Sequence, residues 1–242
     1  MHLPTWWKDY RRLTYVDPHW LIIWITIYIT FLCLDIFFPG FWGSALIKYV
    51  GIFLCAIYAH QKYNKDYALQ LAILFTFLAD TILVWTPFTV AGVYVFCFAQ
   101  FMHLTRLTKL PQISLSIYAA GLSLFFALSI ANGLEPIYAI ATVYGIELIC
   151  NIVMSVKNWR ANSKHFRTRC AFYGFITFFC CDLCVGLRYV ALDGALPAYL
   201  IPTVSFLVWV FYYPSQVLIA NSSTMEPSSP RRRLAKKAAK NV

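Results

Sequence analysis

Apolar residues in this chain run in eight long blocks, and polar residues gather in the short gaps between them. Within each block the run is continuous for about 18 to 23 residues, enough for an α-helix rising 1.5 Å per residue to cross roughly 30 Å of hydrocarbon. The blocks cover approximately His19–Phe38, Gly43–His60, Tyr67–Trp85, Phe88–Leu107, Ile113–Ala131, Pro136–Val156, Thr168–Val190 and Ala198–Ala220. They lack the apolar/polar alternation that a membrane β-barrel requires, and an open sheet would leave backbone groups unpartnered in lipid. The pattern predicts an all-α membrane protein, an eight-helix transmembrane bundle.

Composition agrees. Apolar residues make up 60% of the chain and charged residues 12%, with mean hydropathy +0.64, whereas a soluble domain is about half apolar and a quarter charged. A net charge of +10 raises nucleic acid as a partner, but the positions of the charges argue against it. Of the 20 basic residues, all but Lys48 and Arg188 precede span one, follow spans two, four or six, or lie in the C-terminal tail. The positive-inside rule then puts both termini in the cytoplasm, as an even number of spans demands. A multi-pass integral protein is expected, in the cell membrane if the chain is bacterial.

The chain divides into an interfacial N-terminal segment at 1–18, the eight-span domain at 19–220 and a basic cytoplasmic tail at 221–242. Trp6, Trp7, Tyr10 and Tyr15 beside Lys8, Arg11 and Arg12 read as an interfacial anchor that is retained rather than cleaved. The tail, rich in Ser, Pro, Ala and basic residues, is expected to be disordered and held near anionic headgroups.

Asp80 in span three and Asp182 in span seven each lie roughly fourteen residues from the cytoplasmic end, a common depth near 21 Å. A charge there costs at least about 2.5 kcal/mol, so an intramembrane carboxylate is a functional candidate by default. Two at one depth suggest an acid/base pair meeting across helices three and seven. Cys180, Cys181 and Cys184 flank Asp182, but no His or second Cys pair completes a four-ligand set, so they read as small packing groups and no metal is expected.

The uncharged Thr86–Pro87 turn makes spans three and four an outward-facing hairpin. On its second helix Gly92 permits close approach, Tyr94 lies at a depth from which it could bond Asp80, and Gln100 and His103 sit deeper. Span six adds Glu147 and Asn151, which share a face at i, i+4. Span eight adds Tyr212, Tyr213 and Gln216. Asp35 and Arg188, near outer ends, are expected to snorkel or pair at the interface.

Together these residues resemble the YhhN family of integral membrane proteins, which includes the lysoplasmalogenases. That family has eight spans, an Asp late in the third, Gly-x-x-x-Phe in the fourth, an Asp in the seventh and Tyr-x-x-Gln in the eighth; the matching positions are Asp80, Gly92 with Phe96, Asp182, and Tyr213 with Gln216. The similarity covers roughly Trp20–Asn221. Where the family usually has Gly, Ser and His, this chain has Ala79, Cys181 and Gln100, with His103 one turn beyond.

The resemblance implies hydrolysis of the vinyl ether of a lysoplasmalogen to a fatty aldehyde and a glycerophospho-alcohol. That chemistry needs a carboxylic acid to protonate the β-carbon, and a carboxylate to stabilise the oxocarbenium ion and deprotonate water, as in glycosidases. Asp80 and Asp182 are the expected catalytic pair. Tyr94, Gln100, Glu147, Asn151, Tyr213 and Gln216 are expected to bind or orient a lysophospholipid substrate, with no cofactor required. A proton-coupled carrier or a non-enzymatic lipid-binding bundle is the alternative. A zinc amidase of ceramidase type is disfavoured, because its His cluster is absent.

Overall fold

In the computed structural model, which describes residues 16–108, 110–131, 133–163 and 165–223, every apolar block forms a helix. The helices are α1 (Pro18–Phe37), α2 (Trp42–Lys62), α3 (Tyr67–Trp85), α4 (Thr89–Thr108), α5 (Pro111–Phe126, continued by a π turn at Ala127–Ala131), α6 (Pro136–Ala161), α7 (Phe166–Leu192) and α8 (Leu200–Ala220). All eight are long and apolar enough to cross a membrane, and no strand occurs among the described residues. The protein is an all-α, multi-pass membrane protein. The expected interfacial anchor and basic tail lie mostly outside the described residues.

Helix boundaries follow local chemistry. Asp17 caps α1 by accepting from the His19 amide at 3.0 Å, with Pro18 at the first helical position, where the missing N–H costs nothing. Asp66 caps α3 through the Leu69 amide at 3.1 Å. The α3–α4 hairpin is as short as expected: Thr86 donates its hydroxyl to the Ile82 carbonyl and accepts from the Phe88 amide. Gly92 makes the close approach possible, since a Cβ there would come within 2.5 Å of the Leu83 side chain. Helices α6 and α7, at 26 and 27 residues, exceed the expected spans and are longer than roughly 30 Å of hydrocarbon needs.

Inside α8, Pro214 has no N–H to give to the carbonyl of Val210 one turn earlier. The Tyr28 hydroxyl of α1 takes that role, donating to the Val210 oxygen at 3.0 Å. A freed carbonyl in lipid needs such a replacement, and it ties the first helix to the last.

Packing closes the bundle into a ring. α1 lies on α2, α2 on α3, α3 on α4, α4 on α6, α6 on α7 and α7 on α8, which returns to α1, α2 and α3; α5 rides outside on α4 and α6. α1 and α5 are the peripheral helices, only 11% buried, against 50% for α4. α3 and α7, the helices that carry the two aspartates, do not pack on one another; α8 lies against both. The core is largely aromatic, built from Trp24, Phe31, Tyr58, Phe175, Phe178 and Tyr213.

Near the end expected to face outward, Asp35 of α1 accepts from Lys48 and Ser44 of α2. The ammonium also lies 4.9 Å from the centre of the Trp209 ring. Asp35 therefore pairs in the bundle rather than snorkelling, and Arg188 bonds Ser205 at 3.1 Å.

Candidate active site

The inward stripe of α3 runs Leu69, Ala72, Ile73, Thr76, Ala79 and Asp80, the i, i+3, i+4, i+7 spacing of one helix face. Asp80 thus extends a face that is apolar apart from Thr76 into the interior, where it is 8% exposed. The Tyr212 hydroxyl of α8 donates to it at 2.6 Å. Asp182, half-buried on α7, accepts at 2.6 Å from Tyr144 of α6. Each carboxyl therefore faces its own phenol, and neither has a cationic partner among the ion pairs and hydrogen bonds of the described residues.

The two carboxyl–phenol pairs belong to one interior. From Tyr212 the rings run to Phe178 at 5.7 Å, on to Phe96 at 6.2 Å, and from there to Tyr144 at 5.9 Å. Cys181 lies within electrostatic reach of both carboxyls, and the Tyr212 and Tyr144 hydroxyls lie within reach of each other. The two acids do not meet across a direct α3–α7 contact. They are brought to a common space by α8 on one side and α6 on the other, with Phe96 of α4 and Phe178 of α7 between.

Several expected residues stand elsewhere. Tyr94 does not reach Asp80: it is 37% exposed and sits edge-on to Phe98 at 5.2 Å. Tyr213 faces α1 and α2, stacked on Tyr28 at 5.9 Å and against the Cα of Gly51. Gln216 is buried and bonds its neighbour Ser215 at 3.4 Å. Gln100 and Asn151 do come together: the Asn151 amide donates to the backbone and side-chain oxygens of Gln100, both at 2.9 Å. The Gln100 side chain in turn lies beside the Tyr144 hydroxyl, which links this pair to Asp182. Glu147, 1% exposed, sits beside the Cys97 thiol.

Tyr144 is the site residue that sequence reasoning left out, and Tyr212, noted beside Tyr213, was given no role in the site. Tyr144 carries a readable signal, because Tyr144, Glu147 and Asn151 share a helix face at i, i+3, i+7. Tyr212 does not, since in a Tyr-Tyr pair only the rotation of α8 decides which ring faces Asp80.

At the end of the bundle that carries both termini, Arg106 donates to the carbonyl and hydroxyl oxygens of Ser222 at 2.6 and 3.0 Å. Ser223 donates to Asp66 at 2.7 Å, and Tyr58 donates to Asn221 at 2.6 Å. Burial pushes the Tyr63 phenol beside them up to about 12. A lipid-facing groove of about 450 Å³ between α2 and α3, lined by Ile57, Leu71 and Leu74 among others, includes neither carboxyl. No group of three or more His, Cys, Asp or Glu among the described residues is placed to hold a metal ion.

Fold and site define an eight-span helical membrane protein whose aromatic interior holds two phenol-bonded carboxyls. The chain belongs to the YhhN family, whose family model matches residues 43–223. No curated protein and no solved structure matches it.

Proposed function

We propose that this protein is a membrane-embedded hydrolase of lysoplasmalogenase type, cleaving the vinyl ether of a lysoplasmalogen to a fatty aldehyde and a glycerophospho-alcohol. The observation that carries this reading is the pair of carboxyls, Asp80 and Asp182, each 2.6 Å from its own tyrosine hydroxyl in one aromatic interior. A phenol donates to a carboxylate and accepts from a carboxylic acid. The same geometry therefore supports either protonation state, as a pair that exchanges roles in a catalytic cycle requires.

In the proposed cycle one carboxylic acid delivers its proton to the β-carbon of the vinyl ether, and the positive charge forms at the carbon bearing oxygen. The other carboxylate stabilises that cation and takes a proton from the attacking water. The resulting hemiacetal breaks into aldehyde and alcohol as the second carboxyl protonates the leaving oxygen and the first takes the hemiacetal hydroxyl proton, which restores both groups. Phe96 and Phe178 supply an apolar wall for the alkenyl chain, which enters from the leaflet. YhhN membership is compatible with a hydrolase. The chemistry calls for no metal or cofactor, and the basic tail would hold anionic headgroups nearby.

Purified protein incubated with a panel of lysophospholipids, with aldehyde followed by mass spectrometry, tests the reading. Aldehyde from lysoplasmalogens and none from the corresponding acyl lipids is expected. No aldehyde from any vinyl ether, with binding or movement of another solute, would replace it with the lipid-binding or carrier alternative.

A further inference from the structure

Thirteen buried side-chain polar atoms lack a hydrogen-bond partner among the described residues, and six of them belong to five residues of two neighbouring helices, α4 and α6. They are both carboxyl oxygens of Glu147, Oδ1 of Asn151, Nε2 of Gln100, Nε2 of His103 and Nε of Arg106. On α4 the residues recur at steps of three, Gln100, His103 and Arg106, and on α6 at a step of four, Glu147 and Asn151. All five are at most 4% exposed. Native interiors tolerate few such atoms, and each needs an explanation.

Mistaken amide orientations do not remove them. The Asn151 NH₂ group faces two oxygens of Gln100, so reversing Asn151 would oppose oxygen to oxygen, and reversing Gln100 would oppose NH₂ to NH₂. The Cys97 thiol beside Glu147 is a weak donor and cannot serve two carboxyl oxygens.

The unpartnered atoms also mix donors and acceptors. Arg106 donates to Nδ1 of His103 at 3.4 Å, which leaves Nε2 of His103 as a donor, like Nε2 of Gln100 and Nε of Arg106. Glu147 and Asn151 offer acceptors. A cation would be repelled by the donors and an acyl chain would satisfy neither kind, whereas a water molecule donates twice and accepts twice.

We propose that a line of internal waters follows the buried side of α4, from Arg106 at the basic end of the bundle, past His103 against Phe175 of α7, to the α4–α6 seam at Gln100 and the Tyr144–Asp182 pair beside it. Its role as the source of the water consumed in hydrolysis rests on the function proposed above; the hydration itself does not. Water and lipid then reach the site by separate routes, the lipid laterally and the water along the bundle axis.

Radiolytic hydroxyl-radical footprinting of the protein in nanodiscs reads bound water directly. Cys97 at the seam and Cys55 in the apolar core are 1% and 0% exposed, so they differ in predicted hydration but not in burial. Cys97 should be oxidised several-fold faster than Cys55. In the double variant Gln100→Leu with Asn151→Leu, the Cys97 rate should fall to that of Cys55. The unchanged Cys55 rate reports that the fold survives. The same variant should lose about tenfold in kcat with KM little changed, the size of one lost buried hydrogen bond. Equal rates for Cys97 and Cys55 in the parent protein would overturn the hydrated seam. Fast Cys97 oxidation with an undiminished kcat in the variant would overturn its role as the water supply. Fast Cys97 oxidation in a protein that releases no aldehyde would overturn the hydrolase reading while leaving the hydrated seam in place.

Discussion

Tyr212 donates a 2.6 Å hydrogen bond to Asp80 from a position 132 residues further along the chain. Helices α3 and α8 thereby share a polar contact inside a largely apolar interior, and Tyr144 repeats the arrangement for Asp182 across α6 and α7. The duplication gives two acids on independent supports, which can be altered separately.

Asp80→Asn and Asp182→Asn should each abolish aldehyde release while leaving the protein folded. Asn keeps the shape and accepts the tyrosine hydrogen bond but cannot exchange the proton, a loss of about 10²–10⁴-fold. Cys181→Ser, a packing change, should be nearly silent. Turnover measured beside thermal unfolding in detergent checks this; near-native turnover of both Asn variants would remove the aspartates from the mechanism.

Tyr212→Phe and Tyr144→Phe delete one hydroxyl each and should slow turnover by about ten- to a hundredfold, the worth of a hydrogen bond to a charged group. Tyr213→Phe, next in sequence but turned toward α1 and α2, should leave turnover unchanged. A kinetic comparison of the three variants distinguishes the two faces of α8.

Lys48→Met leaves Asp35 with its Ser44 contact but without its ammonium, and removal of one partner of a buried pair costs about 3–5 kcal/mol. The double change Asp35→Leu with Lys48→Met should recover most of that loss. Unfolding midpoints of the single and double variants decide it, and equal losses in both would mean that the pair is not the cause.

Reporter fusions should place residues after Val242 in the cytoplasm and an insertion at Thr86–Pro87 on the opposite side, because 18 of the 20 basic residues distribute that way. A non-cytoplasmic signal from the C-terminal fusion would invert the topology.

The fold was legible because lipid allows so few alternatives: a long apolar run can only be a helix, and Asp17, Pro18 and Gly92 mark ends and contacts with local chemistry. The carboxyls were legible because an acid is conspicuous between apolar neighbours. Their partners were harder to read. With 16 tyrosines in the chain, a phenol inside a span carries little information, and Tyr94 matched Asp80 in depth while its helix turned it elsewhere. Depth follows from counting residues, whereas the rotation of each helix about its axis depends on packing of whole faces. Gln100 and Asn151 met because helices four and six are neighbours, which no local pattern records.

The hold that Tyr58, Arg106 and Asp66 exert on Asn221, Ser222 and Ser223 bears on how the protein is made. Helix α8 leaves the ribosome after the other seven, yet it and the residues just after it supply the Asp80 phenol, the Ser222 oxygens that receive Arg106 and the carbonyl that Tyr28 bonds. Until it inserts, seven helices wait in the bilayer with an acid and an arginine lacking these partners, and the arrival of α8 is what seals the assembly. A product truncated before Leu200 would carry those exposed polar groups as a signal that surveillance proteases can read.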